Sequence, residues 1–380
     1  MTRPVATIVL FCNTAQAMVQ FRTAIIRDLL SRSYRVIAIA QPDGISENDI
    51  QALGAEFVPI ALSRSGVNPF GEMKSLFALI SIFRRIRPDL LISYTIKPNI
   101  YALPICRMLG IPSIGVVTGL GYTFLTQSPV AWLARFLLGK SLLAASHVWF
   151  LNKDDMDLVC DHNADLRARS SVLPGEGIDT SFYKPRQMPP PPIKFLMIAR
   201  ILTDKGFHEY VSAAKLICAK FADVQFDLLG PLDPESPTGI SREDIEHATN
   251  HPRINYLGPT NDVRPFMENA HCIVLPSYRE GVSRVLLEAA AMGRPMIATD
   301  VPGCREVVIG GETGLLCMPR NVESLANCFE QFIKLDGRKR KAMGRAAQKD
   351  VAARFDDHII CARYHSMISE LGIDGVDVTR

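Results

Sequence analysis

The sequence predicts two α/β domains in tandem, each a mostly parallel sheet covered by helices. Three observations carry that reading. Short β-branched runs alternate with helical apolar patterns through the first half. Four consecutive prolines, Pro189–Pro192, then interrupt the chain, and a proline run is a poor sheet interior and a good linker. The same alternation restarts beyond them, and 380 residues suffice for two such cores.

Ala6–Phe11 reads as the first strand and feeds a helix containing Val19–Leu30. Arg35–Ala40 is a strand, Leu76–Ile86 a helix, and Leu90–Ser93 and Ser113–Val117 are strands. A helical stretch from about Val130 and the strand Ser146–Phe150 follow. These strands are continuously apolar rather than alternating, as expected when both faces of a parallel sheet are covered. After the prolines come the strand Ile193–Ala199 and the helix Phe207–Lys220. Val224–Leu229, Ile254–Leu257, Ala270–Pro276 and Pro295–Thr299 read as strands, Arg284–Met292 and Ser324–Leu335 as helices. The tail from about Arg340 to Leu371 is helical, with a break around Phe355–Asp357. Two such sheets are expected to bind ligands in a cleft between their edges.

Composition narrows the function. Hydrophobic residues make up 48% of the chain and charged ones 21%, so disorder is not the default. Net charge is +3, which gives no general argument for nucleic acid. Residues 1–188 carry 19 basic and 14 acidic side chains against 23 and 25 in the remainder, an asymmetry compatible with an anionic ligand, a membrane surface or ordinary scatter. The nine cysteines are scattered singly, without zinc or iron–sulfur spacing, and suit reduced thiols in a cytosolic protein. No leader is expected, because polar Asn13, Thr14 and Gln16 follow the first strand at once. No apolar run reaches about 18 residues, so a spanning helix is not expected.

The loop Asn13-Thr14-Ala15-Gln16-Ala17 lacks the GxGxxG pattern of a dinucleotide site, and no GxxxxGK[ST] run occurs. Dehydrogenases and P-loop enzymes are thereby disfavoured. Stronger chemistry lies in Ile198-Ala199-Arg200-Ile201-Leu202-Thr203-Asp204-Lys205-Gly206, where Arg200 and Lys205 fall between a strand and a helix. Two cations beside free helix amides can neutralise a diphosphate, although a solvated loop has the same look. In the run from Pro276 to Pro295, Glu280 sits in a glycine-containing loop after a strand, and Glu288 lies in an apolar helix. A buried acid is costly unless bonded, either by ligand hydroxyls or by an internal partner. Glu306, after Gly303, is open to a ligand or to a helix start, and Gly310-Gly311-Glu312-Thr313-Gly314 reads as a turn.

Together these residues resemble glycosyltransferase family 4, retaining enzymes of GT-B architecture that use nucleotide sugars. The resemblance covers essentially the whole chain and is strongest from Arg200 to Gly314, with Glu280 and Glu288 eight apart in EGVSRVLLEAAAMGRP and GETGLL beyond. It implies two Rossmann-like domains facing a cleft: 1–188 for the acceptor, the linker 189–192, 193–352 for the donor, and a helix at 353–371 crossing back to the first. It assigns the donor diphosphate to Arg200 and Lys205, the ribose hydroxyls to Glu288 and the sugar near its reacting carbon to Glu280. Tyr278, Arg279, Gly281, Val282 and Ser283 would form the loop around sugar and phosphates.

Asn13-Thr14 with Phe21-Arg22, the run Tyr94–Asn99, and Thr118-Gly119-Leu120-Gly121-Tyr122-Thr123-Phe124 resemble bacterial surface-glycan enzymes, among them N-acetylgalactosaminyltransferases acting on undecaprenyl-diphosphate sugars. The resemblance implies a UDP-sugar, an acceptor saccharide on polyprenyl diphosphate and a place on the cytoplasmic face of the inner membrane. The histidine many members carry near Thr95–Lys97 is absent, which leaves Asn13, Thr14, Lys97, Asn99 and Gly119 on the acceptor side. With Arg200 and Lys205 at the leaving group, no metal or other cofactor is expected. Ala131–Lys140 and Phe83–Arg87 combine apolar and basic groups, which suits either a core helix or a membrane interface. A UDP-sugar 2-epimerase, a phosphorylase, or a noncatalytic nucleotide-sugar-binding protein of the same architecture are the competing readings.

Overall fold

The protein is seen in a computed structural model that describes residues 5–62, 69–121, 124 and 128–373. Tyr122 and Thr123 of the loop motif lie outside the described residues. The chain divides into two compact units, Met1–Gly177 with Asp357–Arg380, and Ile178–Asp356.

In the first unit β1 (Thr7–Thr14), β2 (Arg35–Gln41), β3 (Glu56–Pro59), β4 (Leu90–Tyr94), β5 (Ser113–Val117), β6 (His147–Phe150) and β7 (Ser170–Val172) form a sheet in the order β3-β2-β1-β4-β5-β6-β7. Every pairing is parallel. The connecting helices are α1 (Ala15–Ser31), α2 (Ser46–Ala52), α3 (Pro69–Ile86), α4 (Ile96–Leu109), α5 (Pro129–Leu142), α6 (Lys153–Cys160) and α7 (Ala164–Ala168). The chain steps outward from β1 to β3 in one direction and from β4 to β7 in the other. Right-handed crossovers therefore place α1 and α2 on one face and α3, α4 and α5 on the opposite face. Val9, Phe11, Ile37, Ile39 and Leu91 meet α3 and α4, and Val117, Val148 and Phe150 meet α4 and α5. Fully buried strand residues on both sides explain the continuous apolar runs.

Helix α1 starts at Ala15, four residues before Val19. Thr14 Oγ1 accepts the Ala17 amide at 3.2 Å, so the residue ending the strand also caps the helix. α5 is a core helix on one side only: Ala131, Leu138, Ser141 and Leu142 are buried, while Trp132, Leu133, Phe136 and Leu137 are exposed.

The second unit repeats the plan. Strands β8 (Ile193–Ile198), β9 (Val224–Leu229), β10 (Ile254–Tyr256), β11 (Cys272–Leu275), β12 (Met296–Thr299) and β13 (Gly314–Cys317) form a parallel sheet ordered β10-β9-β8-β11-β12-β13. Around it lie α8 (Phe207–Lys220), α9 (Arg242–Thr249), α10 (Arg264–Glu268), α11 (Arg284–Ala291), α12 (Val322–Lys334) and α13 (Gly337–Arg354). Phe195, Phe226, Phe329 and Phe332 stack in its core, with Phe195–Phe329 centroids 4.7 Å apart.

Two boundaries differ from the sequence reading. The units part at Gly177/Ile178 rather than at the prolines. The reason is Arg294, wholly buried, whose guanidinium donates to the carbonyls of Arg186 at 3.2 Å, Gln187 at 2.8 Å and Met267 at 2.9 Å, binding the residues before the proline run into the second unit. The helical tail breaks between α13 and α14 (Asp357–Glu370), and α14 belongs to the first unit from Asp357 onward. There Tyr364 packs edge-on to Trp149 at 4.8 Å and His365 Nε2 meets Asp28 at 2.6 Å.

Candidate active site

Each sheet reverses strand order once, at β1/β4 and at β8/β11. A parallel sheet opens a crevice at such a point, beyond the strand C-termini. In the second unit the charged residues singled out in the sequence gather there. Arg200 follows β8, Lys205 ends a short 3-10 turn, and residues 276–283 follow β11.

Lys205 Nζ donates to Glu280 Oε1 at 2.6 Å, and Ser277 Oγ donates to the same oxygen at 2.6 Å. The backbone makes that pairing possible. Gly206 has φ of +80°, and a Cβ there would lie 2.2 Å from the Pro276 carbonyl oxygen, so only glycine lets the Lys205 loop touch the β11 loop. The Tyr278 amide donates to the Asp204 carbonyl at 2.9 Å and joins the same two loops. Glu280 is held from a third side, its amide donating to Pro302 at 3.1 Å. Gly303, with φ of +86°, would place a Cβ 2.5 Å from the Glu280 Cβ, which accounts for that glycine.

Arg200 is half-exposed and pairs with Asp233 at 3.0 Å. Glu288 is buried on α11, and both its described partners sit on Oε1: the Tyr183 hydroxyl at 2.8 Å and Arg284 Nε at 3.2 Å. Burial raises the Glu288 pKa above the ordinary carboxylate range against the pull of Arg284 and Tyr183. The internal-partner reading of Glu288 therefore holds, and an acid with two donors on one oxygen also suits hydroxyl recognition by the other.

The loop residues divide. Tyr278 donates its hydroxyl to Glu209 at 2.7 Å beneath the Arg320 guanidinium, 4.5 Å from the ring. Burial and the Glu209 carboxylate raise the phenol's pKa. Gly281 and Val282 continue the loop, and Val282 packs on the core under β11 and β12. Arg279 belongs to it too, partly buried. Ser283 is not free for a ligand through its side chain: it is 5% exposed and caps α11, Oγ accepting the Leu286 amide at 3.4 Å. Glu306 likewise turns inward to accept the Gly303 amide at 2.5 Å.

Tyr183, Glu209 and Arg320 were missed in the sequence. Tyr183 and Arg320 lie far along the chain from their partners and carry no local signal. Glu209 had one, an acid in the first turn of α8 four residues after Lys205, but first-turn acids are common for helix-dipole reasons. Its Oε2 is buried with no bonded partner.

The first-unit candidates do not assemble in the same way. Thr14 is a helix cap, with Asn13 beside it at the end of β1. Lys97 Nζ is held by Glu72 at 2.8 Å. Asn99 is wholly buried, its Nδ2 donating to the Val116 carbonyl at 3.1 Å, so it ties α4 to β5, while its Oδ1 is buried with no bonded partner. Gly119, just past β5, has φ of +143°, a conformation reserved for glycine. Arg22 is buried against the Tyr94 ring at 3.8 Å and ion-paired with Glu176, a structural knot at the end of β1.

Among the described residues no group of three or more His, Cys, Asp or Glu could hold a metal ion. An Asp-x-Asp run does occur, Asp155-Met156-Asp157. Asp155 is buried in the first turn of α6 and Asp157 is paired with Arg167 at 2.8 Å, so the run belongs to the helix.

Two doubly wound parallel sheets in tandem, with cations and acids at the strand ends of the second, are the GT-B architecture. The chain belongs to the glycosyltransferases: residues 181–350 match the family model "Glycosyl transferases group 1" and residues 8–152 match "Glycosyl transferase 4-like". It is 28% identical, over 93% of this chain and 95% of the relative, to the N,N'-diacetylbacillosaminyl-diphospho-undecaprenol alpha-1,3-N-acetylgalactosaminyltransferase of Campylobacter jejuni. Among solved structures, the sucrose-phosphate synthase of Thermosynechococcus elongatus superposes with a TM-score of 0.78 at 18% identity, covering 97% of this chain and 99% of that one. Anabaena HepE, in complex with UDP and glucose, gives 0.77 at 18% identity, over 96% and 100%. These two likenesses concern the fold.

Proposed function

We propose that the protein transfers an N-acetylhexosamine, GalNAc being the first candidate, from a UDP-sugar to a saccharide on polyprenyl diphosphate, with retention at the anomeric carbon, at the cytoplasmic surface of a bacterial inner membrane. The observation that carries the donor side is the Lys205–Glu280 pair at the strand ends of β8 and β11. The name of the Campylobacter relative supports the acceptor class.

In this reading the bond from the anomeric carbon to the β-phosphate oxygen breaks, and its electrons pass to the departing UDP. The acceptor hydroxyl oxygen enters on the same face and its proton leaves on the phosphate. Lys205 and Arg200 stabilise the phosphate charge as it develops, so the step runs without a divalent ion. Arg200 exchanges Asp233 for the phosphate, which its exposure allows. Glu288 accepts from the ribose hydroxyls while Tyr183 and Arg284 hold it in place. Glu280, fixed by Lys205, Ser277 and the Pro302 carbonyl, faces the sugar at the reacting carbon.

The test is a donor panel of UDP-GalNAc, UDP-GlcNAc, UDP-galactose, UDP-glucose and GDP-mannose, offered with polyprenyl-diphosphate saccharides in chelator-treated buffer. The expected outcome is a mass gain of one N-acetylhexosamine with one UDP donor and an α-configured product by NMR. Interconversion of UDP-sugars without acceptor would overturn the reading in favour of an epimerase.

A further inference from the structure

The helix layer α3, α4 and α5 is built as a surface, and its outer side is unusual in two respects. It exposes large apolar side chains: Trp132 at 64%, Phe136 at 49% and Leu133 at 46% on α5, and Phe77 at 65% on α3. Trp132 and Phe136 lie one turn apart and stack at 5.8 Å. It is also basic. The three helices carry seven lysines and arginines and one acid, Glu72, which is already engaged by Lys97 and Tyr101. Lys140 rests over the Phe136 ring at 5.8 Å, and Lys74 lies next to Met73, itself 53% exposed.

The placement is specific. The three helices share one sheet face, since Leu91 is in register with Ser113 and Val117 with Phe150. Each begins at the C-terminal edge of the sheet; Trp132 and Leu133 lie near the start of α5, whereas Phe136 on α5 and Phe77 on α3 lie about two turns in. Arg84, Arg85 and Arg107 lie in the last turns, toward the opposite edge. Exposed apolar side chains interspersed with cations on one helix layer suit a lipid interface, the apolar groups for the acyl boundary and the cations for anionic headgroups. A second protein would leave the lack of acids unexplained. Among the described residues no helix is long and apolar enough to cross a membrane.

We propose that the α3–α4–α5 face docks on an anionic lipid bilayer, with Trp132, Leu133 and Phe136 entering the acyl boundary and the basic residues meeting headgroup phosphates. This rests on the lipid-linked acceptor proposed above, because a docked first unit holds its ligand edge at the depth where a polyprenyl diphosphate lies.

Trp132 makes the test direct, since the other tryptophan, Trp149, is 3% exposed. Full-length protein is mixed with vesicles of phosphatidylcholine alone or with added phosphatidylglycerol, and bound fraction and tryptophan emission are read together. Wild type is expected to bind the anionic vesicles with a blue shift quenched by brominated acyl chains. Trp132→Ser with Phe136→Ser should bind roughly tenfold more weakly or less, because both aromatic anchors are gone. Both proteins should melt alike and turn over a short-chain, water-soluble polyprenyl-diphosphate acceptor equally. Vesicle binding unchanged in the double variant would overturn the proposal. So would wild type that ignores anionic vesicles, or a stable dimer that buries Trp132 instead. Failure of wild type on the soluble acceptor, with vesicle binding intact, would instead sink the proposed function and leave the docking face standing.

Discussion

The two units share a plan but prepare their ligand edges differently. In the second unit the edge is crowded with charges already paired: Lys205 with Glu280, Arg284 and Tyr183 with Glu288, Tyr278 with Glu209. In the first, the polar groups at the corresponding edge are mostly consumed by the fold, Thr14 as a cap, Asn99 as a helix–strand link and Arg22 in a buried ion pair. A diphosphate needs fixed charge set in advance, and such charges must be neutralised by neighbours while the site is empty. The first unit carries instead an apolar, basic helix layer on one face of its sheet. The difference teaches that duplicated architecture does not duplicate chemistry; loops and exposed faces decide it.

That contrast can be broken experimentally. The largest expected effect is on folding. Arg22→Ala strands Glu176 beside an apolar pocket and should cost about 3–5 kcal/mol, read as a fall in the urea midpoint. An activity loss without a stability loss would move Arg22 from structure to function. Next comes Lys205→Ala, expected to lower kcat roughly 100- to 1000-fold, as for loss of one donor to developing charge, and to disturb melting far less than Arg22→Ala because Ser277 still donates to Glu280. Normal turnover in this variant would erase the electrostatic distinction between the two edges.

Asn99→Ala should destabilise by about 1–3 kcal/mol and leave acceptor KM unchanged, because it removes a buried hydrogen bond and no ligand contact. A selective rise in acceptor KM would place Asn99 in the acceptor site. Tyr278→Phe removes the bond to Glu209 and should cost about 0.5–1.5 kcal/mol in kcat/KM, with the larger share in kcat if the loop positions the sugar.

The smallest effect is a slope. Burial raises the folded-state pKa of Glu288, so over the window just above the ordinary carboxylate range the folded chain holds a proton the unfolded chain has lost. Its contribution to stability therefore declines as pH rises through that window. Glu288→Gln should flatten this part of the stability–pH curve and raise donor KM. An unchanged slope would show that another group titrates there.

Much of this was legible residue by residue. The alternating apolar runs set out two parallel sheets, and the break before Asp357 showed in the tail. Glu280 and Lys205 were visible as charges at strand ends. The unit boundary was not, because four prolines look like a linker whatever surrounds them, and only the buried Arg294 ties the preceding residues into the second unit. Nor was the burial of Asn99, because sequence shows a side chain's chemistry but not its surroundings.

The sequence by itself determined the periodicities, the places where glycine marks a turn, and the inventory of charges, all of which are local properties of the chain. The tertiary structure decided which charges neutralise one another, which side of α5 faces out, and that Tyr183 reaches Glu288 from 105 residues away. Those outcomes depend on contacts between distant segments, and their energies exist only once the sheets have brought the segments together.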